Sequence, residues 1–378
     1  MKKISIIGCL MALFMASCID EYNANLPESD SRILVVEGSI VSESSCEFLL
    51  STTVPLNTNV NNSTFKEMAV ANAEVWIEGT DGQRFNATMT EAGKYVANVG
   101  TLNENHAYSL KIQYNGNTYE STPAKPAVSP DIEKVWFEQP REDMNVDALI
   151  SLKAPKDGKP QYFKWSFYET WMVASYYHST YEYDPETDEI VPAKEDFGLG
   201  YMYNDPGEVV MASSETFQGN KIEGFRLLTL PNNTNRFVWR YCLTVNQRAI
   251  SKEEYEFETM RKKLSSDMGG LFSPQPSELP SNIHCTSAKL NAIGFVGVSG
   301  NVVTNHYFAD GGSEIKSNFR MDCAQLADET KARYTNLELY RMGFRVSLYT
   351  PMGIEWSTAS CVDVRQQGAV LEKPSFWN

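Results

Sequence analysis

Little in this chain is made for chemistry. Histidine is scarce, with four in 378 residues, and His106, His178, His284 and His306 lie too far apart for the close spacing of a zinc site. The sequence has no Cys-x-x-Cys pair, no Gly-x-Ser-x-Gly elbow, no His-Glu-x-x-His helix and no phosphate-cradling glycine loop. Each absence removes a common route to metal, redox, hydrolase or nucleotide chemistry, so no enzyme is expected. Gly297-Val298-Ser299-Gly300 lacks the full nucleophile spacing and follows a sheet-like run, which reads as a strand end. Basic residues number 33 against 48 acidic ones and form no cluster, and the net charge of −15 opposes a polyanion, so nucleic acid is not an expected partner. No run beyond the first residues approaches the ~20 apolar residues that span a bilayer.

The N-terminus is the most explicit part. Lys2 and Lys3 precede an apolar stretch over residues 4–15, and Met15-Ala16-Ser17-Cys18 closes it with small residues before a cysteine. That is a lipobox: residues 1–17 read as a lipoprotein signal peptide and Cys18 as the acylated residue. Ile6-Ile7-Gly8-Cys9 resembles the same signature, but cleavage there leaves almost no hydrophobic region to export. Two or three acyl chains, at about 0.8 kcal/mol per buried CH₂, suffice for stable attachment to a bilayer. Residues 18–32, polar and without periodicity, read as a tether.

The remainder has a globular balance, 42% hydrophobic, 12% aromatic and 21% charged, and is long enough for two domains. Five cysteines follow the tether. Cys46 and Cys242 sit in apolar strand-like stretches and read as small buried hydrophobes. A bridge is expected among Cys285, Cys323 and Cys361, with Cys323 to Cys361 the pairing carried forward.

Residues 33–122 alternate apolar and polar in short runs between turn residues, the pattern of an antiparallel sandwich. Tyr108, Leu110, Ile112 and Tyr114 share one face, and Asn115-Gly116 supplies the positive φ angles of a tight type I′ turn into a partner strand. Val75 and Ile77 alternate with Trp76 and Glu78 before Asp81-Gly82, a second hairpin. Pro123, Pro126 and Pro130 make residues 123–130 a linker. Residues 131–378 then form a larger β-rich domain. Its strand at 162–175 carries Trp165, Phe167, Glu169 and Trp171 on one face and Tyr168 on the other, so it should be central. Ser251 and Glu254 form a capping box for a helix near 251–268, with Phe257, Met260, Leu264 and Met268 on one stripe, Glu258 one turn from Lys262, and Gly269-Gly270 at its end. The expected class is mainly β: an N-terminal Ig-like or prealbumin-like β-sandwich, then a larger β-rich domain carrying at least one α-helix.

Two features bear on binding. Glu182, Asp184, Glu186 and Asp188 place acidic oxygens at alternate positions, as calcium loops do, but the required glycine is missing and Pro185 stiffens the run. A solvated loop is the favoured reading and Ca²⁺ the alternative. Around it cluster Trp171, Tyr176, Tyr177, Tyr181, Tyr183, Tyr201 and Tyr203, aromatics suited to sugar stacking or protein docking unless they pack in the core.

Ile33-Leu34-Val35-Val36-Glu37-Gly38, the run Gln275-Pro276-Ser277-Glu278-Leu279-Pro280-Ser281-Asn282-Ile283, Ile293-Gly294-Phe295, and the closing Cys361-Val362-Asp363 and Lys373-Pro374-Ser375-Phe376-Trp377 occur in one order. Together they resemble the Bacteroidetes lipoproteins of domain of unknown function 4249 over nearly the whole chain past the leader. Relatives carry Cys-x-Asp-Cys at the final motif, where this chain has Val364 in place of the second cysteine. The resemblance implies a lipid-anchored protein of the outer membrane, facing the exterior as the early Asp20 and Glu21 also imply. It further implies a TonB-dependent outer-membrane receptor as partner in nutrient uptake; it supplies no catalytic residues. The competing expectation is an adhesin-like or envelope-scaffolding lipoprotein without a transport role.

Overall fold

A computed structural model describes residues 33–53, 68–267 and 280–377. The leader, Cys9, Cys18, the tether, Met268, Gly269-Gly270 and Gln275 to Leu279 lie outside the described residues. The strands in chain order are β1 (Leu34–Val41), β2 (Ser45–Thr52), β3 (Glu74–Gly79), β4 (Arg84–Glu91), β5 (Lys94–Asn98), β6 (Tyr108–Tyr114), β7 (Asn117–Ser121), β8 (Ile132–Glu138), β9 (Val146–Leu152), β10 (Tyr162–Ala174), β11 (Tyr181–Asp184), β12 (Glu189–Pro192), β13 (Leu199–Asn204), β14 (Val209–Ser213), β15 (Phe225–Leu230) and β16 (Arg240–Ile250). Helix α1 (Lys252–Asp267) follows, then β17 (Ile283–Cys285), β18 (Ala292–Ser299), β19 (Val302–Asp310), α2 (Asp328–Lys331), α3 (Asn336–Arg341), β20 (Phe344–Thr350), β21 (Gly353–Thr358) and α4 (Ala359–Val362). The protein is mainly β.

The first domain is one sheet of nine strands in the order β17-β7-β6-β3-β4-β5-β2-β1-β18, folded over so that both halves enclose one core. Strand alternation sends Val75, Ile77, Leu110 and Ile112 inward from one half and Val36, Phe48, Leu50 and Tyr95 from the other. The Asn115-Gly116 turn has φ of 49° and 74°, the doubly positive geometry expected of it.

The division at residue 131 needs a correction, because β17 and β18 complete the first domain's sheet. β18 runs parallel to β1, Leu34 opposite Ala292 through Val41 opposite Ser299. A parallel partner cannot come from a hairpin and needs a long crossover, so local patterning gives no sign of it. Gly294 makes the approach possible: at φ +140° a Cβ there would sit 1.9 Å from the Val36 carbonyl oxygen. The proline-rich segment is equally fixed, since Ala127 donates to Val298 O (3.1 Å) and accepts from Gly300 N (2.7 Å).

In the second domain a three-stranded sheet, β15-β9-β8, faces a five-stranded one in which β10 lies between β16 and the successive partners β13 and β14, with β19 outside β16. β10 is central, as expected. Its inward Trp165, Phe167 and Trp171 pack with Ile150, Leu228 and Leu243. Trp165 Nε1 donates to Gln247 Oε1 (3.0 Å), and Gln247 Nε2 donates to Pro130 O (2.7 Å), so the linker is tied to this core. Phe376 and Trp377 cover part of the outer face beside Tyr201 and Phe308.

Helix α1 departs from its expected capping. Glu254 N donates to Ser251 Oγ (3.0 Å), but the Glu254 side chain turns inward instead of back. Oε1 accepts from Arg248 Nη2 (2.9 Å), and Oε2 is buried without a hydrogen-bond partner against Gly297, where a Cβ would stand 1.7 Å from it. Glu258 pairs with Lys164 and Arg261. The apolar stripe is only half-buried at Phe257, Met260 and Leu264, and Phe257 stacks on Phe295 at 5.2 Å. Among the described residues no helix is long and apolar enough to cross a membrane.

Burial pushes the Glu254 carboxyl above its ordinary 4.5, with the Arg248 charge opposing. The folded chain therefore holds this proton more tightly than the unfolded one. Its contribution to stability is complete below pH 4.5 and is lost as pH rises through the raised folded value. Urea denaturation across pH should show wild type losing stability relative to Glu254→Gln between pH 4.5 and neutrality; parallel curves would contradict this.

Candidate functional site

At one end of β10 the chain leaves the sandwich and builds a small third unit. The hairpin β11–β12, helix α3 and the hairpin β20–β21 share a core of Tyr183, Leu339, Val346 and Trp356. A complete capping box starts α3: Thr335 Oγ1 accepts from Glu338 N (3.3 Å) while Glu338 Oε2 accepts from Thr335 N (2.8 Å). A disulfide joins Cys323 to Cys361, Cα atoms 5.9 Å apart, and Tyr177 N donates to Cys361 O (2.9 Å). Val364, at the position of the second cysteine in the closing motif of the resembled family, is fully buried and packs in the sandwich core.

Between this unit and residues 363–366 lies a cavity of about 380 Å³. Tyr181, Tyr183, Phe197 and Tyr340 wall it, and Glu182, Arg345, Asp363, Arg365 and Gln366 supply its polar groups. Tyr181 meets Tyr349 edge-on at 4.9 Å. Tyr183 is buried and donates to Asp188 Oδ1 (2.7 Å); removal from water and then this bond push its hydroxyl up to about 12, so it stays protonated. Arg365 is held between two carboxylates. Nε and Nη2 donate to Asp363 Oδ1 and Oδ2 at 2.9 Å each, and Nη1 donates to Glu195 Oε1 at 2.6 Å. These bonds push the guanidinium above its ordinary value, Asp363 contributing most, and fix one wall.

A second cavity of about 360 Å³ opens on the far side of the same segment: Gln366 lines the first and its neighbour Gln367 the second. Tyr176, Val238, Trp239, Phe319 and Met321 make its lining more apolar. Its Asn235 is held by Trp171, whose Nε1 donates to Asn235 Oδ1 (3.0 Å) beneath the Arg236 guanidinium. Arg236 in turn donates to buried Glu169 at 2.6 Å.

The aromatic group expected from sequence therefore divides. Trp171, Tyr183 and Tyr201 are 4%, 4% and 6% exposed, because Trp171 packs in the sandwich core, Tyr183 in the core of the small third unit and Tyr201 under Trp377 on the sheet's outer face, a correction to their reading as contact surface. Tyr176 and Tyr203 are 58% and 52% exposed, while Tyr177 and Tyr181 are half-buried. The structure brings Tyr181 and Tyr183 to the first cavity and Tyr176 to the second, and leaves Tyr201 and Tyr203 on the sheet's outer face. Tyr340, Arg345, Asp363 and Arg365 were not anticipated. They reach Tyr181 only through tertiary folding, and no local spacing marks them.

The acidic run is a hairpin, not an open loop. Glu182 and Asp184 lie in β11 and Asp188 takes φ 57° in the turn. Asp184 Oδ1 accepts from Glu186 N (2.9 Å) and Asp188 Oδ1 from the Tyr183 hydroxyl, so Glu182, Asp184, Glu186 and Asp188 do not converge on one point. Among the described residues no group of three or more His, Cys, Asp or Glu could hold a metal ion.

The family model described as Domain of unknown function (DUF4249) matches residues 19–305. No curated protein matches the chain. Among solved structures it is similar to a DUF4785 family protein from Legionella pneumophila subsp. pneumophila str. Philadelphia 1, at 9% identity and TM-score 0.17, covering 57% of this chain and 51% of that one. This chain thus spans about half the length of that protein. It is also similar to a two fibronectin type-III domain segment from chicken tenascin, at 9% identity and TM-score 0.16, covering 74% of this chain and all of that segment.

The bridge closes a loop of 38 residues, for which chain entropy gives a stabilisation of ~4 kcal/mol. Reduction, or Cys323→Ser with Cys361→Ser, should lower the denaturation midpoint accordingly and expose residues 318–327 to protease before the sandwich cores. An unchanged midpoint and cleavage pattern would contradict a structural role.

Proposed function

The chain belongs to the family of domain of unknown function 4249, and from that premise we propose that it is a lipoprotein of the outer membrane, facing the cell exterior, which captures a small polar ligand for a TonB-dependent nutrient receptor. The anchor is acylated Cys18, for which Met15-Ala16-Ser17 before the cysteine is the support. The observation that carries ligand capture is the aromatic-walled cavity of about 380 Å³. Its volume falls in the range of small-molecule sites, and its exposed lining is mainly polar, as a small polar ligand requires.

Tyr181 and Tyr340 supply aromatic surface for a ring-shaped ligand, one face of Tyr340 being covered by the Arg345 guanidinium. The polar groups fix orientation. Arg365, braced by Asp363 and Glu195, forms a fixed wall that needs little reordering when a ligand enters, which lowers the entropic cost of binding. The receptor would receive cargo from a body held beside it by the lipid, where tethering raises the effective concentration.

Purification of the full-length protein in mild detergent should recover a stoichiometric β-barrel receptor. Cys18→Ala should move the protein to the soluble fraction and lose that partner. A Cys18→Ala protein still firmly in the membrane fraction would sink the anchoring claim. A lipoprotein recovered without any barrel and adhering to cells or matrix would favour the scaffold instead.

A further inference from the structure

The half-buried arginines of the described residues follow a rule with one exception. Arg236 pairs with Glu169, Arg240 with Asp310 and Arg248 with Glu254, at 2.6, 3.3 and 2.9 Å. Arg345 is half-buried as well, yet no carboxylate among the described residues lies within salt-bridge distance of it. Its Nη1 donates to two backbone carbonyls, Tyr340 O (3.2 Å) and Phe344 O (2.8 Å), and its guanidinium lies 4.2 Å over the Tyr340 ring. These contacts fix the plane of the guanidinium without neutralising its charge. Nε and Nη2 donate to nothing among the described residues, and the side chain lines the first cavity.

A partly desolvated cation without a counter-charge is unfavourable, and a protein of net charge −15 has ample acid to supply one. The neighbouring Arg365 shows the contrast, with its guanidinium occupied by Asp363 and Glu195. One arginine of the cavity is a finished wall and the other an open fork. A free planar fork held against an aromatic ring matches a carboxylate, which takes two parallel N–H donors, better than it matches a hydroxyl.

We propose that Arg345 is the anion-binding residue of this cavity and that the captured ligand is an acidic saccharide, its carboxylate on the Arg345 fork and its sugar ring against Tyr181 and Tyr340. Glu182 and Gln366 then serve ring hydroxyls, for which a carboxylate acceptor and an amide are suited. This rests on the capture reading and deepens it by assigning the ligand's charge and the residue that selects it. A free carboxylate also occurs on peptides, so the test separates the two sources.

The test is calorimetric titration of the full-length protein in detergent with trigalacturonate, the neutral galactose trisaccharide and trialanine. Trigalacturonate should bind at least about tenfold more tightly than the neutral trisaccharide, a difference of roughly 1.4 kcal/mol, and more weakly as salt is raised. Arg345→Gln should remove that preference while leaving the weak neutral binding in place. Arg345→Lys, which keeps charge but not the fork, should retain only part of it and serves if the glutamine variant does not fold. Equal binding of acidic and neutral sugars, or an unchanged preference in both variants, would overturn the proposal and leave sugar capture standing. Binding of trialanine alone would overturn the saccharide assignment. If none of the three binds, the proposal fails, and the capture reading fails with it only if the protein also lacks a co-purifying receptor.

Discussion

The cross-link between Cys323 and Cys361 is the constraint on which the cavity depends. The unit that forms one side of it has a small core, Tyr183, Leu339, Val346 and Trp356 with partly buried apolar residues around them, so a cross-link adds materially to the stability of its strands and helices. The bridge fastens the irregular stretch around residue 323 to α4, and α4 leads directly into Asp363 and Arg365. What a larger hydrophobic core would do for a bigger domain is done here by one covalent bond and by the Arg365 network. The two cavities lie on opposite sides of this fastened segment, so its position sets the width of both.

The sandwiches supply the rigidity behind that arrangement. β10 runs through the middle of the second domain with Trp165, Phe167 and Trp171 inward, and its last residues emerge as the Tyr176 and Tyr177 loop. The buried Glu169–Arg236 pair, with Asn204 and Tyr241 also bonded to Glu169, would be costly if incomplete and is satisfied on all sides. It holds Asn235 and Trp239 at the second cavity. The residues that line both cavities are thus carried largely on loops and short hairpins backed by the sheets, a common division of labour in β proteins.

Much of the fold is legible in the sequence because sheet structure with one buried face writes itself as alternation. The 108–121 hairpin, the hairpin at Asp81-Gly82 and the centrality of β10 follow from period-two patterning and turn residues alone. Nothing local marks β18 as the parallel partner of β1, since that pairing joins segments some 250 residues apart and is enabled by the single Gly294. Local pattern also misleads about the tyrosines: Tyr183 and Tyr201 look like loop-borne contacts until Tyr183 is seen to enter the core of the small unit and Tyr201 to lie under Trp377. Arg345 is illegible for a different reason, because what singles it out is that no carboxylate among the described residues lies within salt-bridge distance of it, a property of three-dimensional space. Cys323 and Cys361 could be singled out from their position, but only the fold shows that they brace a cavity.

The account stands on the cavity beside Tyr181 being where ligand binds. Hydrogen exchange of the full-length protein, with and without saturating trigalacturonate, tests it directly. Protection should rise in residues 181–184, 340–346 and 361–367 and stay unchanged in the first domain's strands. Protection confined to the outer face around Tyr168 and Tyr203, or spread evenly over both sandwiches, would contradict it.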